Sequence, residues 1–96
     1  MNIFELIKQW GIERNLYING DPKTQTLKLM EEIGELSRSL LKNNREDTVD
    51  AVGDIVIVLT NLCILLNLDI MECTEKAYEV IKDRKGKMIN NTFVKE

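Results

Sequence analysis

From Asn2 onward, apolar residues recur three and four positions apart: Ile3, Phe4, Ile7, Trp10 and Gly11 fall on one side of a helical repeat, and Asn2 ahead of them suits an N-cap. This spacing predicts a first helix running to about Leu16, closed by the loop Tyr17-Ile18-Asn19-Gly20. Asp21-Pro22 reads as a cap followed by proline at the first helical position, where its missing N–H is no loss; the second helix then extends to about Lys42. Asn43-Asn44 interrupts the pattern. A third helix carries Glu46 and Asp47 in its first turn, where negative charge complements the helix dipole, and reaches about Leu66. After the short break at Asn67-Leu68, Asp69 is the next N-cap, and Ile70, Cys73, Ala77, Val80 and Ile81 mark one face of a fourth helix ending near Gly86. The tail from Lys87 to Glu96 is expected to be irregular.

The third helix holds the greasiest stretch. Ten of the twelve residues from Ile55 to Leu66 are apolar, and the β-branched run at its start also suits a strand. Its uninterrupted length exceeds a usual strand of about four to eight residues, which favours helix, yet falls short of the ~20 apolar residues of a membrane span. A helix apolar on all sides has to be surrounded, which places it at the centre of a bundle or at a subunit interface. The expected fold class is therefore all-α, a four-helix-bundle-like single domain over residues 1–96. At 96 residues a chain hides only about 60% of its unfolded surface on folding, so completion by self-association is expected.

Composition narrows the chemistry. With 44% hydrophobic and 30% charged residues the chain is globular, and a net charge of −3 gives no general attraction to a nucleic-acid duplex. Cys63 and Cys73 are the only cysteines, and nothing ahead of them resembles a secretory signal, so reduced thiols and a cytoplasmic location are expected, with no membrane partner. There is no histidine, which excludes imidazole zinc sites, a Ser-His-Asp triad and any histidine base. Carboxylates, lysines and arginines are what remain.

The carboxylates are arranged. On the second helix, with Glu32 at zero, Leu36, Leu29, Leu40 and Ile33 fall at roughly +40° to +100°, so Glu32 borders the apolar stripe. Glu35 and Lys28 lie beside Glu32 on its other flank, and Glu31 is further round. On the third helix Asp47, Asp50 and Asp54 fall within about 60° of one another, and the same line continues into Val58, Asn61 and Leu65. Like charges so placed repel, and more strongly where water is partly excluded. A hard divalent cation such as Mg²⁺ prefers carboxylate oxygens and would relieve that repulsion. A solvated acidic face fits the same spacing. Charge segregation favours the cation: residues 31–54 hold seven acids against three bases, and residues 82–87 four bases against one acid. A metal cradle with a cationic cluster suits a metal-bound polyphosphate, although a basic helix C-terminus alone is ordinary complementarity to the dipole.

These residues resemble a known family. Lys28-Leu29-Met30-Glu31-Glu32-Ile33-Gly34-Glu35-Leu36 is similar to the EExxE motif of the MazG-like proteins, in the all-α NTP pyrophosphatase superfamily. Asp50-Ala51-Val52-Gly53-Asp54-Ile55 resembles the second acidic motif, and Ile81 to Met88 the basic segment that closes short MazG-like chains. The resemblance implies a helical dimer or dimer of dimers. It also implies Mg²⁺, with Mn²⁺ as a substitute ion, on acids matching Glu32, Glu35 and Asp54, and cleavage of a nucleoside triphosphate between its α and β phosphates to give a monophosphate and pyrophosphate. Two positions depart from the pattern. Ala51 stands where the second motif has an acid three residues before Asp54, leaving Asp50 as the fourth carboxylate, and Asn90-Asn91 replaces an Asn-Gly turn.

The expected ligands are thus Glu32, Glu35, Asp50 and Asp54, with Glu31 or one of the ligand glutamates accepting a proton from water. Lys28, Lys82 and Lys85 are the expected phosphate contacts. Trp10 suits base stacking or core packing, Asn61 suits ribose or base reading or a neighbouring backbone group, and Gln25 is open between the same roles. The rival from another class is a non-catalytic interaction module that uses the 55–66 segment as a partner seam.

Overall fold

Four short polar side chains set the helix starts in a computed structural model that describes residues 1–96. Backbone N–H groups of Glu5, Thr24, Asp47 and Glu72 donate to Asn2, Asp21, Asn44 and Asp69 at 2.9, 2.9, 3.1 and 3.0 Å, each satisfying one orphan donor of a first turn. The helices are α1 (Ile3–Glu13), α2 (Leu16–Asn19), α3 (Pro22–Leu41), α4 (Arg45–Leu65) and α5 (Ile70–Ile81). Asparagine also ends them: Asn15, Asn43 and Asn67 have φ of 58°, 54° and 57°, the left-handed conformation that this side chain tolerates and that satisfies terminal carbonyls.

The fold is all-α in its body, and the 55–66 segment is helical. Three boundaries differ from the sequence expectation. The first helix stops at Glu13 rather than Leu16, and Leu16–Asn19 makes the single turn α2 where Tyr17 to Gly20 were expected as loop, because left-handed Asn15 redirects the chain. The fourth long helix ends at Ile81, well before Gly86. The tail is not irregular: β1 (Gly86–Ile89) and β2 (Thr92–Lys95) pair antiparallel, Met88 opposite Phe93 and Ile89 opposite Thr92. Asn90 and Asn91 take φ of 50° and 67°, two left-handed residues in the two-residue turn that matches strand twist.

α4 is the hub. It touches α1, α2, α3 and α5, and its broadest contact is with α3, joined to it by residues 42–44 and therefore antiparallel. α3 touches neither α1 nor α5, and the strands touch only each other. One chain thus leaves the bundle open. Its radius of gyration is 15.9 Å, against roughly 12.5 Å for a compact domain of this length. Its accessible surface is 7728 Å², against roughly 5,700 Å² for a compact monomer of this mass.

The face that α3 buries is not the centre of its apolar stripe. Glu32 and Ser39 are buried, whereas Ile33 and Leu40 are at least half exposed. α4 mirrors this: Ala51 and Val58 pack inward, and Val52, Val56 and Leu59 stay accessible. In an antiparallel pair, positions displaced in the same angular sense share one side, so these residues form an outward apolar strip. The whole of α4 is long and apolar enough to cross a membrane by length and composition, which the 55–66 run alone is not. It would, however, carry Asp50 and Asp54 into the hydrocarbon, at about 2.5–3.5 kcal/mol for an aspartate near the centre.

Candidate metal centre

The antiparallel α3–α4 pair sets two acidic rows face to face. Glu32 and Glu35, three apart on α3, and Asp54 on α4 place one carboxylate oxygen each so that all three lie within 4.8 Å of one another. Glu35 and Asp54 are exposed, whereas Glu32 retains 7% of its accessible surface. Lys28 Nζ approaches Glu32 Oε1 at 3.4 Å across one helical turn. Glu32 Oε2 is buried with no hydrogen-bond partner. A buried carboxylate oxygen without a donor is costly, and two more carboxylates beside it raise that cost. A divalent cation answers both demands, since carboxylate oxygens are what Mg²⁺ and Mn²⁺ take. The three residues therefore fit such an ion.

Beside them opens a cleft of about 390 Å³, lined from α3 by Glu35, Arg38, Ser39 and Lys42 and from α4 by Asp47, Asp50, Ala51 and Asp54. The Ser39 hydroxyl donates to the Leu36 carbonyl at 2.7 Å and lies 2.8 Å from the Thr48 hydroxyl, a polar stitch between the helices. Ala51, where related motifs place an acid, is 3% exposed against α3, so its small side chain permits close approach there. Asp50 lines the cleft without joining the three-carboxylate group.

The other candidates disperse. Glu31 is exposed on α3 outside the carboxylate group, and Gln25 is half-buried a turn before Lys28. Trp10 is half exposed and lies under the Arg14 guanidinium, 4.4 Å from the ring centroid. Asn61 is deeply buried, and its Oδ1 accepts the Tyr17 hydroxyl at 2.6 Å; burial pushes the Tyr17 hydroxyl above its ordinary pKa. Lys82 caps the end of α5 and pairs with Glu79 at 2.8 Å. Lys85 precedes β1, and neither lysine lines the cleft.

Sequence reasoning passed over Arg38, Lys42 and Tyr17. Arg38 and Lys42 follow Glu35 by three and seven residues, so the helical repeat alone lays them along its side. Tyr17 carries no such signal, because its role depends on the turn of α2 that left-handed Asn15 creates.

A family model for phosphoribosyl-ATP pyrophosphohydrolase matches residues 15–87, which include α2 to α5 and every candidate carboxylate. An uncharacterized 18.2 kDa protein from the rep-hol intergenic region of Haemophilus phage HP1 is 41% identical over 56 residues, 58% of this chain and 34% of the phage protein. The chain thus spans about a third of the length of that curated relative. No solved structure matches.

Proposed function

The chain belongs to the phosphoribosyl-ATP pyrophosphohydrolase family, within the MazG-like all-α NTP pyrophosphatase superfamily, which makes it a pyrophosphohydrolase acting on nucleotide phosphates, and on that premise we propose that it splits a nucleoside triphosphate between the α and β phosphates with Mg²⁺. Two observations at one residue carry the reading: Glu32 meets Glu35 and Asp54 in a three-carboxylate group, and its Oε2 is buried with no protein donor.

Glu32, Glu35 and Asp54 would hold the ion, and Asp50, on the cleft wall, would be a further oxygen ligand. When bound, the ion supplies charge neutralisation and lowers the pKa of a coordinated water. The rest falls to the chain. Arg38 and Lys42, both on the cleft wall, steer the polyphosphate inward, Arg38 by its planar fork and Lys42 as a mobile point charge. Lys28 holds Glu32 Oε1 and can turn to a phosphate; Lys82 and Lys85 are further phosphate contacts. Glu31, in solvent beside the ligand pair, accepts the proton of the attacking water. Trp10 and Gln25 meet the nucleoside, and Asn61 supports that region through Tyr17. The protein works as a homodimer or homotetramer that covers the apolar strip, in the cytoplasm.

Incubation with each common nucleoside triphosphate, and separately with phosphoribosyl-ATP, in the presence of Mg²⁺ is the test. Pyrophosphate and the matching monophosphate are expected from at least one triphosphate. Orthophosphate instead, or no release with either Mg²⁺ or Mn²⁺, overturns the reading. Turnover of phosphoribosyl-ATP alone leaves the bond assignment and replaces the substrate.

A further inference from the structure

Both cysteines of the chain lie at one joint. Cys63 belongs to the last turn of α4 and Cys73 to the start of α5, and the turn between them closes on hydrogen bonds that involve both. The Leu68 N–H donates to the Cys63 carbonyl at 2.7 Å and the Asn67 N–H to the Ile64 carbonyl at 3.0 Å, with Asn67 left-handed at φ of 57°, the paired bonds that end a helix on a left-handed residue. One residue on, the Asp69 carbonyl accepts the Cys73 N–H at 3.0 Å. Cys63 and Cys73 are thus tied to two adjacent residues, Leu68 and Asp69, and their side chains meet where α5 touches α4. Cys63 is buried, with 8% of its surface accessible, and Cys73 is exposed. Burial pushes the Cys63 thiol above its ordinary pKa, and the neighbouring Cys73 thiol and Asp69 carboxylate add to the rise.

α5 lacks what such a pair supplies. It buries no residue, and α4 is the only element it touches. Tyr78, Val80 and Ile81, toward its far end, are all more than half exposed. Little besides the turn at residues 66–69 therefore holds this helix in place.

From this placement we propose that Cys63 and Cys73 form a reversible disulfide when the protein meets a peroxide, a latch that fixes α5 to the end of α4. The exposed Cys73 thiolate attacks one peroxide oxygen, the O–O bond breaks, and Cys73 becomes a sulfenic acid while the leaving hydroxide takes up a proton as water. The Cys63 sulfur then attacks the Cys73 sulfur and gives up its proton; the S–S bond forms, the S–O bond breaks and a second water leaves. The two thiols lose two electrons and two protons in all, and one hydrogen peroxide becomes two waters. Burial sets the order, because an accessible thiol ionises and reacts first whereas one held protonated serves as the second partner. The latch is independent of what the cleft hydrolyses.

The test uses the full-length protein, reduced, freed of reductant and treated with a small excess of hydrogen peroxide. The expected product is a single chain lighter by two hydrogens, with no thiol left for alkylation and with the peptides on either side of Glu72 joined through Cys63 and Cys73. Amide exchange along α5 should slow by about 100-fold, as the closure entropy of so short a ring implies, and a small dithiol should restore the original rate. In Cys63→Ala, dimedone should label Cys73 after peroxide. In Cys73→Ser, a change at an exposed position, peroxide should neither slow exchange nor make Cys63 reactive to dimedone. Gain of oxygen without loss of hydrogens, a disulfide between two chains instead of within one, or exchange along α5 that the bond does not alter each overturns the latch. Dimedone on Cys63 in Cys73→Ser overturns the order of attack.

Discussion

The α3–α4 pair and the stretch from α5 to the hairpin are built from equally good local signals, yet only one of them buries side chains within the chain. Asp21 and Asp69 cap α3 and α5 in the same way, and both helices are amphipathic. α3 nonetheless buries Glu32 and Ser39, while α5 and both strands bury nothing. Caps and periodicity decide that an element forms; burial depends on what lies opposite. The carboxylates sit where burial is available, and the basic arm sits where it is not.

Four measurements would break or sharpen that contrast. The largest effect is expected at the carboxylates. Glu35→Gln or Asp54→Asn should lower Mg²⁺-dependent turnover by at least about 100-fold, a few kcal/mol of lost charge stabilisation, while the urea midpoint stays level or rises because repulsion is relieved. A collapsed fold would mean that these acids serve packing. Next, Tyr17→Phe should cost about 1–3 kcal/mol in urea unfolding by stranding the buried Asn61 oxygen. Tyr78→Phe, on an exposed face of α5, should stay within about 0.5 kcal/mol, and equal losses would erase the distinction between the regions. Smaller again, Asn91→Val forces a β-branched residue to φ of 67°, about 1–2 kcal/mol. That loss should appear in hairpin chemical shifts of Met88 and Phe93 and leave helix melting unchanged in the dilute monomer.

The smallest effect is the acid dependence of the α3 cap. Hydrogen bonds from the Thr24 backbone N–H and hydroxyl hold the Asp21 carboxyl below its ordinary pKa. A lowered carboxylate contributes its full stability above the unfolded-state value and loses it as pH falls through the folded one. The Tm gap between wild type and Asp21→Ala should therefore hold steady near neutrality and narrow in acid. A gap that widens would show that the charge is not what the cap uses.

Much of this was legible residue by residue. Asn2, Asp21 and Asp69 announce their helices, and the helical repeat alone aligns Glu32 with Glu35 and Asp50 with Asp54. What was hidden had physical reasons. Helix periodicity locates an apolar stripe but not the neighbour that covers it, so it puts Glu32 at the border of the core, whereas Glu32 itself is buried and Ile33 and Leu40 stay outside. The hairpin is hidden because four-residue strands carry almost no periodic signal, although the left-handed tolerance of Asn90-Asn91 points to a tight reversal. The Lys82–Glu79 ion pair belongs to the geometry of a helix end, which charge counting along the chain does not show.

The short connection at residues 42–44 has one more consequence, for the order of events when the chain folds. Glu32, Glu35, Asp50 and Asp54 all lie on the two helices it joins, so the loop that must close to gather them is small and its entropy cost low. On the proposed reading, a divalent cation would meet Glu32, Glu35 and Asp54 together once this one turn has formed, and its binding energy would become folding energy for that pair. Divalent ions should thus speed the appearance of the first helical hairpin as well as steady the finished protein, with a refolding rate that climbs with free Mg²⁺.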